Sequence, residues 1–454
     1  MASDLRKTRF VCVSDTHNAC PADGAFKLPK GDVLIHAGDL TRQGTFAELR
    51  KTFDWIEQAD YEVKIVVAGN HDITLDPTFY NEHGLRFHNQ NPQEPQACID
   101  LIKKYSSITY LNHESTHVYL KKEDGPRTTF KVFGSPYSPA TGLWAFGYPS
   151  EHASLLWDQI HLDTDIVITH TPPKYHCDES RHNGSLGCRT LRETLWRVRP
   201  SLAICGHVHE GRGAERIMWD LDCLNVKFKE SATGYWTDPG LGLGNRKQSH
   251  LDLSAKSPAP LNSTESWINA FDVTNLDGPT ETPGNRLPIQ KSTHSLAWTP
   301  ATSRPGTSIS GESSEGNQFL VLDKASLITA QTQEDRLDAM SSKTVMPEHS
   351  ASQSRASFEE TQSRALEKIS QVPEARRRLP LYASLKNGNH SATRGQGGCP
   401  LSGRCDLEAL AGRGGRKETC VINAAIMASS WPYKFQDNKK YNKPIIVDID
   451  LPVW

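Results

Sequence analysis

Five short apolar runs, rich in β-branched residues, each lead into Asp, Asn or His, and that repetition constrains the fold more than any other feature of the chain. The runs are residues 10–13, 33–35, 63–67, 166–168 and 202–204. They precede Asp15-Thr16-His17, Gly38-Asp39, Gly69-Asn70-His71-Asp72, Thr169-His170-Thr171 and Gly206-His207-Val208-His209. A short apolar run bounded by glycine and polar residues is the pattern of a strand buried on both faces. Folds built from such strands collect their ligand-binding side chains beyond the carboxyl ends. The chain is therefore expected to be α/β, with one polar cluster at the edge of a sheet.

The intervening residues supply the other elements. Residues 45–58 read as a helix with Phe46, Leu49, Phe53 and Ile56 on one face, and Thr45 with Glu48 forms a capping box at its start. Ser150 is expected to cap a second helix running to about His161, and residues 186–198 a third. Residues 108–111, 117–120 and 129–133 read as strands, with a turn at Asp124-Gly125 between the last two.

The texture changes after about Trp236. From residue 237 to 413, Ser, Thr, Pro, Gln, Gly and charged residues dominate, without a sustained period. This tract accounts for the low hydrophobic fraction of the 454-residue chain, 37%, and its mean hydropathy of −0.55. Such a segment buries too little apolar surface to offset its backbone entropy, so disorder is expected. Within it, residues 319–322 and 379–385 are short apolar pieces, Arg376-Arg377-Arg378 reads either as a nuclear-localisation or nucleic-acid patch or, more commonly for such runs, as solvated charge, and Cys399 and Cys405 are too isolated for a zinc site. Apolar runs return at 419–427 and 443–451. About 36 residues are too few to fold alone, and a long surface insertion costs little loop-closure entropy. The expected organisation is thus a first part at 1–236, an insertion at 237–413, and strands at 414–454 that complete the first part's domain.

Net charge is −2, which offers no general attraction for nucleic acid or an anionic membrane. No run approaches a membrane span and no export signal opens the chain, and the ten cysteines are scattered, several inside apolar runs. Reduced, buried thiols are expected, and with them an intracellular, cytoplasmic or nuclear protein.

The strand-end residues have a common chemistry. Asp15 and His17 offer a carboxylate and an imidazole to one cation. A carboxylate at Asp39 can bridge two metals, Asn70 brings a neutral oxygen, and His170, His207 and His209 add nitrogen ligands. Mixed carboxylate, amide and imidazole donors without thiolate suit two divalent ions of Mn, Fe or Zn rather than Ca.

The five blocks together resemble the calcineurin-like metallophosphoesterase superfamily, whose pattern is D-x-H, G-D, G-N-H-[DE], H and G-H-x-H. Details such as Gly134-Ser135-Pro136-Tyr137, Trp144-Ala145-Phe146 and the ending 423–425 with 444–452 are closest to its eukaryotic metallophosphoesterase-domain-containing subgroup. The resemblance covers about residues 8–230 and 415–454. It implies a four-layer α/β/β/α sandwich. It places one metal on Asp15, His17, Asp39 and His209 and a second on Asp39, Asn70, His170 and His207, with hydroxide attack on a phosphate ester and His71 as general acid. Protein phosphatases of this superfamily extend the second block to G-D-x-x-D-R-G. Here it reads Gly38-Asp39-Leu40-Thr41-Arg42-Gln43-Gly44, so the carboxylate that would orient His71 is missing. Asp72 either orients the turn or caps local amides. Tyr137, Trp144 and Phe146 form an aromatic stretch that either stacks a substrate base or packs a loop. A small phosphodiester or phosphomonoester, such as a nucleotide, is the expected substrate. The alternative is a regulatory or scaffolding protein that binds a protein partner through the insertion. A nuclease would need a basic groove, which the folded part lacks.

Overall fold

The computed structural model describes residues 4–181, 183–220, 230–242, 244–261, 319–322, 416–428 and 441–454. Strands are numbered in chain order. The first sheet runs β15 (Ser249–Asp252), β18 (Ile445–Pro452), β1 (Leu5–Val13), β2 (Val33–Ala37), β3 (Val63–Val67), β4 (Ile108–Tyr110). The second runs β16 (Phe319–Leu322), β14 (Glu230–Trp236), β13 (Gly213–Trp219), β17 (Glu418–Asn423), β12 (Leu202–Cys205), β9 (Ile166–Thr169), β6 (Thr129–Ser135), β5 (Glu114–Tyr119). Two short pairs, β7 (Ser138–Pro139) with β8 (Gly147–Tyr148) and β10 (Glu179–Ser180) with β11 (Gly184–Ser185), stand outside them.

Alternation along each strand builds the layers. In β1, Phe10 and Cys12 face the second sheet, while Val11 and Val13 face the helices. In β12, Leu202 and Ile204 face inward, and Ala203 and Cys205 pack outward. The inner faces of both sheets make one apolar layer. Three helices, α1 (Phe46–Gln58), α2 (Pro77–Phe87) and α3 (Pro95–Ile102), cover the first sheet through Leu49, Phe53, Ile56, Tyr80, Cys98 and Leu101. The short α4 (Ala153–Trp157) and α5 (Arg189–Val198) cover the second through Leu156, Trp157, Leu191 and Leu195. The result is the four-layer α/β/β/α sandwich. Fully buried Leu49, Phe53, Ile56, Trp157, Leu191 and Leu195 each contribute about 1.5–3 kcal/mol relative to exposure.

The C-terminal strands lie inside the sheets rather than beside them. β17 pairs parallel with β12 and antiparallel with β13, and β18 pairs antiparallel with β1 over eight residues, Leu5↔Pro452 to Cys12↔Ile445. Just beyond β1 and β17, Ser14 bridges Ala425, which links the two sheets at their carboxyl ends.

Several local expectations meet the structure directly. Thr45 caps α1 with the reciprocal Glu48 bonds of a capping box, at 3.2 and 3.1 Å. The helix after Ser150 differs. Residues Ser150–His152 form a 3-10 turn without a side-chain cap, and α4 ends at Trp157 because Gln159 and Ile160 bond only three residues back, tightening the chain toward β9. Helices α2 and α3, each opening on a proline, lie between the elements expected from the sequence. The tract at 237–413 also begins differently from its expectation. Ser249–Asp252 pairs parallel with β18, and Leu251, Leu253 and Leu261 are fully buried in the inter-sheet layer, which gives this stretch the apolar burial its composition hides. Phe319–Leu322 runs antiparallel to β14. Residues 376–378, 379–385, Cys399 and Cys405 lie outside the described residues. All seven described cysteines are buried and unpaired by disulfides. No helix among the described residues is long and apolar enough to cross a membrane.

Candidate metal centre

The strand ends deliver their polar residues through backbone that is rarely used by such residues. Asp15, His17, Asp39 and His207 all have positive φ, at 52°, 43°, 50° and 66°. Left-handed backbone in non-glycine residues costs stability and persists only where its surroundings enforce it. Here the enforcement is visible: Asp15 N–H donates to the Gly38 carbonyl at 2.9 Å, and His17 N–H to the Asp39 carbonyl at 3.1 Å. Gly38 itself sits at φ 100°, and a Cβ there would stand 2.4 Å from His170 Nδ1. A Cβ on Gly206 would stand 1.9 Å from Ser14 Oγ and 2.2 Å from Asp15 Oδ2. Both glycines are therefore required by close approach.

Seven side chains converge. Around Asp15 lie His209 Nε2, 3.4 Å from Oδ1, and His17 Nε2, 3.3 Å from His209 Nε2. Around Asn70 lie His170 Nε2 and His207 Nδ1, each 2.9 Å from Oδ1. Asp39 stands between the groups, its oxygens 3.7 Å from His17 Nε2 and 3.3 Å from His170 Nε2. Asp15 and Asp39 are 0% and 2% exposed, and among the described residues neither pairs with a lysine or arginine. Two carboxylates buried this deeply are costly unless the surrounding imidazoles or a bound cation offset their charge. The trios Asp15/His17/His209, Asp15/Asp39/His170 and His17/Asp39/His71 each present ligand atoms within 4.8 Å of one another. The donor set thus fits divalent cations.

Electrostatics agree. Burial pushes His17 down to about 3 and His207 to about 4, so both rings are neutral, as ligands must be. Burial also disfavours a charged His170, but the carboxylates of Asp39 and Asp15 raise it to about 9. Burial would raise Asp39, yet His170, His71 and His17 hold its carboxyl well below the usual range.

His71 is placed otherwise. Its Nε2 lies 4.0 Å from Asp39 Oδ2, while Nδ1 donates to the Arg42 carbonyl at 2.8 Å. That backbone carbonyl occupies the orienting role for which no carboxylate is present, and a backbone acceptor leaves no trace in residue identity. Asp72 caps amides: it accepts from Leu40 N, Thr41 N and Gly69 N at 3.1, 2.9 and 2.8 Å and from Thr41 Oγ1 at 2.6 Å. It joins the loop of Asp39 to the turn of Asn70. Asn423, part of the ending 423–425 noted above, is assigned no site role by the sequence pattern. At the end of β17, its Nδ2 donates to the carbonyls of Cys177 and Val208, at 2.9 and 2.8 Å, and so holds the loop carrying His207 and His209. It follows an apolar strand just as the five motifs do, which is the signal that could have found it.

A cavity of about 970 Å³ opens over the cluster, lined by Asp39, Asn70, His71, His207 and His209, with Arg42, Trp144 and Leu186 on its walls. Of the three aromatics expected there, only Trp144 takes part. Phe146 is 4% exposed in the core beneath the helices, and Tyr137 packs on it with ring centroids 5.9 Å apart. Burial of their large apolar rings outweighs presentation to solvent.

A model of the calcineurin-like phosphoesterase family matches residues 8–211. The chain is 36% identical over 222 residues to human metallophosphoesterase domain-containing protein 1, a match covering 45% of this chain and 62% of that protein. It is 33% identical over 218 residues to a UPF0046 protein of Caenorhabditis elegans, covering 46% of this chain and 70% of that one. It is 43% identical over 215 residues to a probable rhamnogalacturonate lyase C of Emericella nidulans, which covers 47% of this chain but only 18% of that protein.

Proposed function

This chain belongs to the calcineurin-like phosphoesterase family, and we propose from that premise that it hydrolyses a small phosphate diester or monoester at the cluster around Asp39. The observation that supports this reading best is the pair of buried carboxylates, Asp15 and Asp39, ringed by imidazoles and lacking a lysine or arginine partner among the described residues. Asp15, His17, Asp39 and His209 would hold one divalent cation, and Asp39, Asn70, His170 and His207 the other. When bound, such a pair supplies Lewis acidity toward phosphate oxygens and activates water at neutral pH.

The remaining chemistry belongs to the chain. Asp39 sets the spacing between the two ligand groups. His71 presents Nε2 to the cavity while Nδ1–H is held by the Arg42 carbonyl, so a protonated ring can give its Nε2 proton to the departing oxygen. Arg42, the one arginine on the wall among the described residues, and the apolar Trp144 and Leu186 leave room for one phosphate and an organic group. The missing second Asp of the second block makes a phosphoprotein the disfavoured substrate.

Full-length protein with Mn²⁺ is expected to hydrolyse bis-p-nitrophenyl phosphate, and Asp39→Asn to lose at least about 100-fold in kcat while keeping its circular dichroism. Wild type as inactive as the variant across Mn²⁺, Fe²⁺ and Zn²⁺ would refute the enzyme and favour a scaffold. We also infer that the described residues of 4–261 and of 416–454 form one catalytic domain. Deleting 416–454 removes the strands on which β1, β12 and β13 pair, so the truncated chain should not fold; a soluble, active truncation would count against this.

A further inference from the structure

We propose that Trp144 is a positioning residue which, together with the Arg42 carbonyl, fixes the His71 ring in the orientation that delivers the proton to the leaving oxygen. The inference rests on the hydrolysis proposed above, with His71 as acid, and assigns what takes the place of the carboxylate missing from the second block.

A carbonyl can only accept, so the 2.8 Å bond from Nδ1 to the Arg42 oxygen places a proton on Nδ1 and turns Nε2 toward Asp39. One hydrogen bond restrains one ring atom. The plane of the ring needs a second contact, and Trp144 supplies it. The indole and imidazole centroids are 4.0 Å apart with planes inclined at 30°, an arrangement in which one ring lies over the other. His17 meets the same imidazole edge-on, at 4.7 Å and 84°. Phe87 backs the indole at 5.4 Å.

The way Trp144 is held argues for this role over substrate stacking. The next residue, Ala145, donates its N–H to the carbonyl of Asn70 at 3.2 Å. Asn70 directly precedes His71, so the indole is registered to the turn that carries the acid. Phe146 then donates its N–H to Asp76 Oδ2 at 3.0 Å and buries its ring in the core. The three consecutive residues therefore have separate tasks: Phe146 anchors, Ala145 sets the register, and Trp144 lies on His71. The indole face that lies on the imidazole is not open to a substrate.

Leaving-group dependence tests the assignment. A nitrophenolate departs readily without a proton, whereas a phenolate whose conjugate acid has a pKa of about 10 benefits from one. With Mn²⁺, Trp144→Ala is expected to lower kcat on methyl phenyl phosphate by about 100-fold and on methyl p-nitrophenyl phosphate by less than about threefold, with KM little changed. His71→Ala should show the same contrast. Trp144→Phe, which keeps a ring face, should stay within about threefold of wild type on both esters. Equal losses on the two esters, or a loss confined to KM, would overturn the positioning role. The ring can also be read without turnover by ¹⁵N NMR of His71. Wild type and Trp144→Phe should show the single Nδ1–H tautomer and Trp144→Ala a mixture. An unchanged tautomer in Trp144→Ala overturns the proposal. Wild type that hydrolyses neither ester would refute the hydrolysis, and the NMR comparison would still decide the positioning.

Discussion

Replacing Asp72 with alanine should destabilise the metal-free protein by about 3–5 kcal/mol, although Asp72 is assigned neither a ligand nor a proton-transfer role. Its side chain is fully buried and accepts four hydrogen bonds, from Leu40 N, Thr41 N, Thr41 Oγ1 and Gly69 N. Truncation leaves three backbone N–H groups without an acceptor; the Thr41 hydroxyl can rotate. Each buried, unsatisfied donor costs about 1–3 kcal/mol, and water entering the space left behind recovers part of the sum. For a domain of this size, 1 kcal/mol moves Tm by about 2–4 °C, so a fall of about 6–20 °C is expected. The measurement is thermal unfolding by calorimetry in excess EDTA, because bound metal would add its own stabilisation. Asp72→Asn keeps the volume but turns an NH₂ toward one pair of donors, and should cost about half as much. A Tm for Asp72→Ala within about 2 °C of wild type would refute the reasoning, since four buried bonds cannot be lost for so little.

The remaining expectations concern metal binding and pH. Gly206→Ala places a Cβ 2.2 Å from Asp15 Oδ2, and should weaken Mn²⁺ binding, followed by calorimetric titration, about 10–100-fold; an unchanged affinity would show that the loop relaxes freely. His170 carries a proton in the metal-free protein up to about pH 9, and a metal must displace it. Apparent Mn²⁺ affinity should therefore rise by up to about tenfold per pH unit from 7 to 9 and then level, and a flat profile would contradict this. Away from the cluster, His176 is bound on both sides, by Glu215 at 2.8 Å and Glu230 at 2.9 Å. Burial works against its charge, but the two carboxylates raise it to about 9. The pair's stabilisation, at most about 3 kcal/mol, is complete below about pH 6.5, where both states bind the proton, and disappears as pH rises through about 9. Tm should fall over that window in wild type and stay level in His176→Gln; equal slopes would remove His176 from the account.

How much could be read before folding differs from residue to residue. The capping box of Thr45 and Glu48 is complete within four consecutive residues, so pattern alone locates the start of α1. The strand-end aspartates, asparagine and histidines are announced by the apolar runs before them, because strand formation and side-chain type are local properties. The start of the tract at 237–413 was harder to read. Its Leu251, Leu253 and Leu261 are spaced among polar residues, and only the neighbouring β18 makes them core. The aromatic stretch shows the same limit. Tyr137, Trp144 and Phe146 lie in one Gly/Pro-rich segment without a period, and nothing local says which of them reaches the cavity.

By itself, then, the sequence determined the fold class, the chemistry available at the strand ends and the absence of a carboxylate four residues after Gly38 to orient His71. Only the tertiary structure decided what holds that ring. The Arg42 carbonyl, the Trp144 face, the amides on Asp72 and the carbonyls on Asn423 are partnerships across as many as 29, 73, 32 and 246 residues of chain. Most of them involve backbone groups that every residue shares. Residue types are written in the chain, but which backbone group a side chain meets is set by packing two sheets face to face, and that information exists only once they have packed.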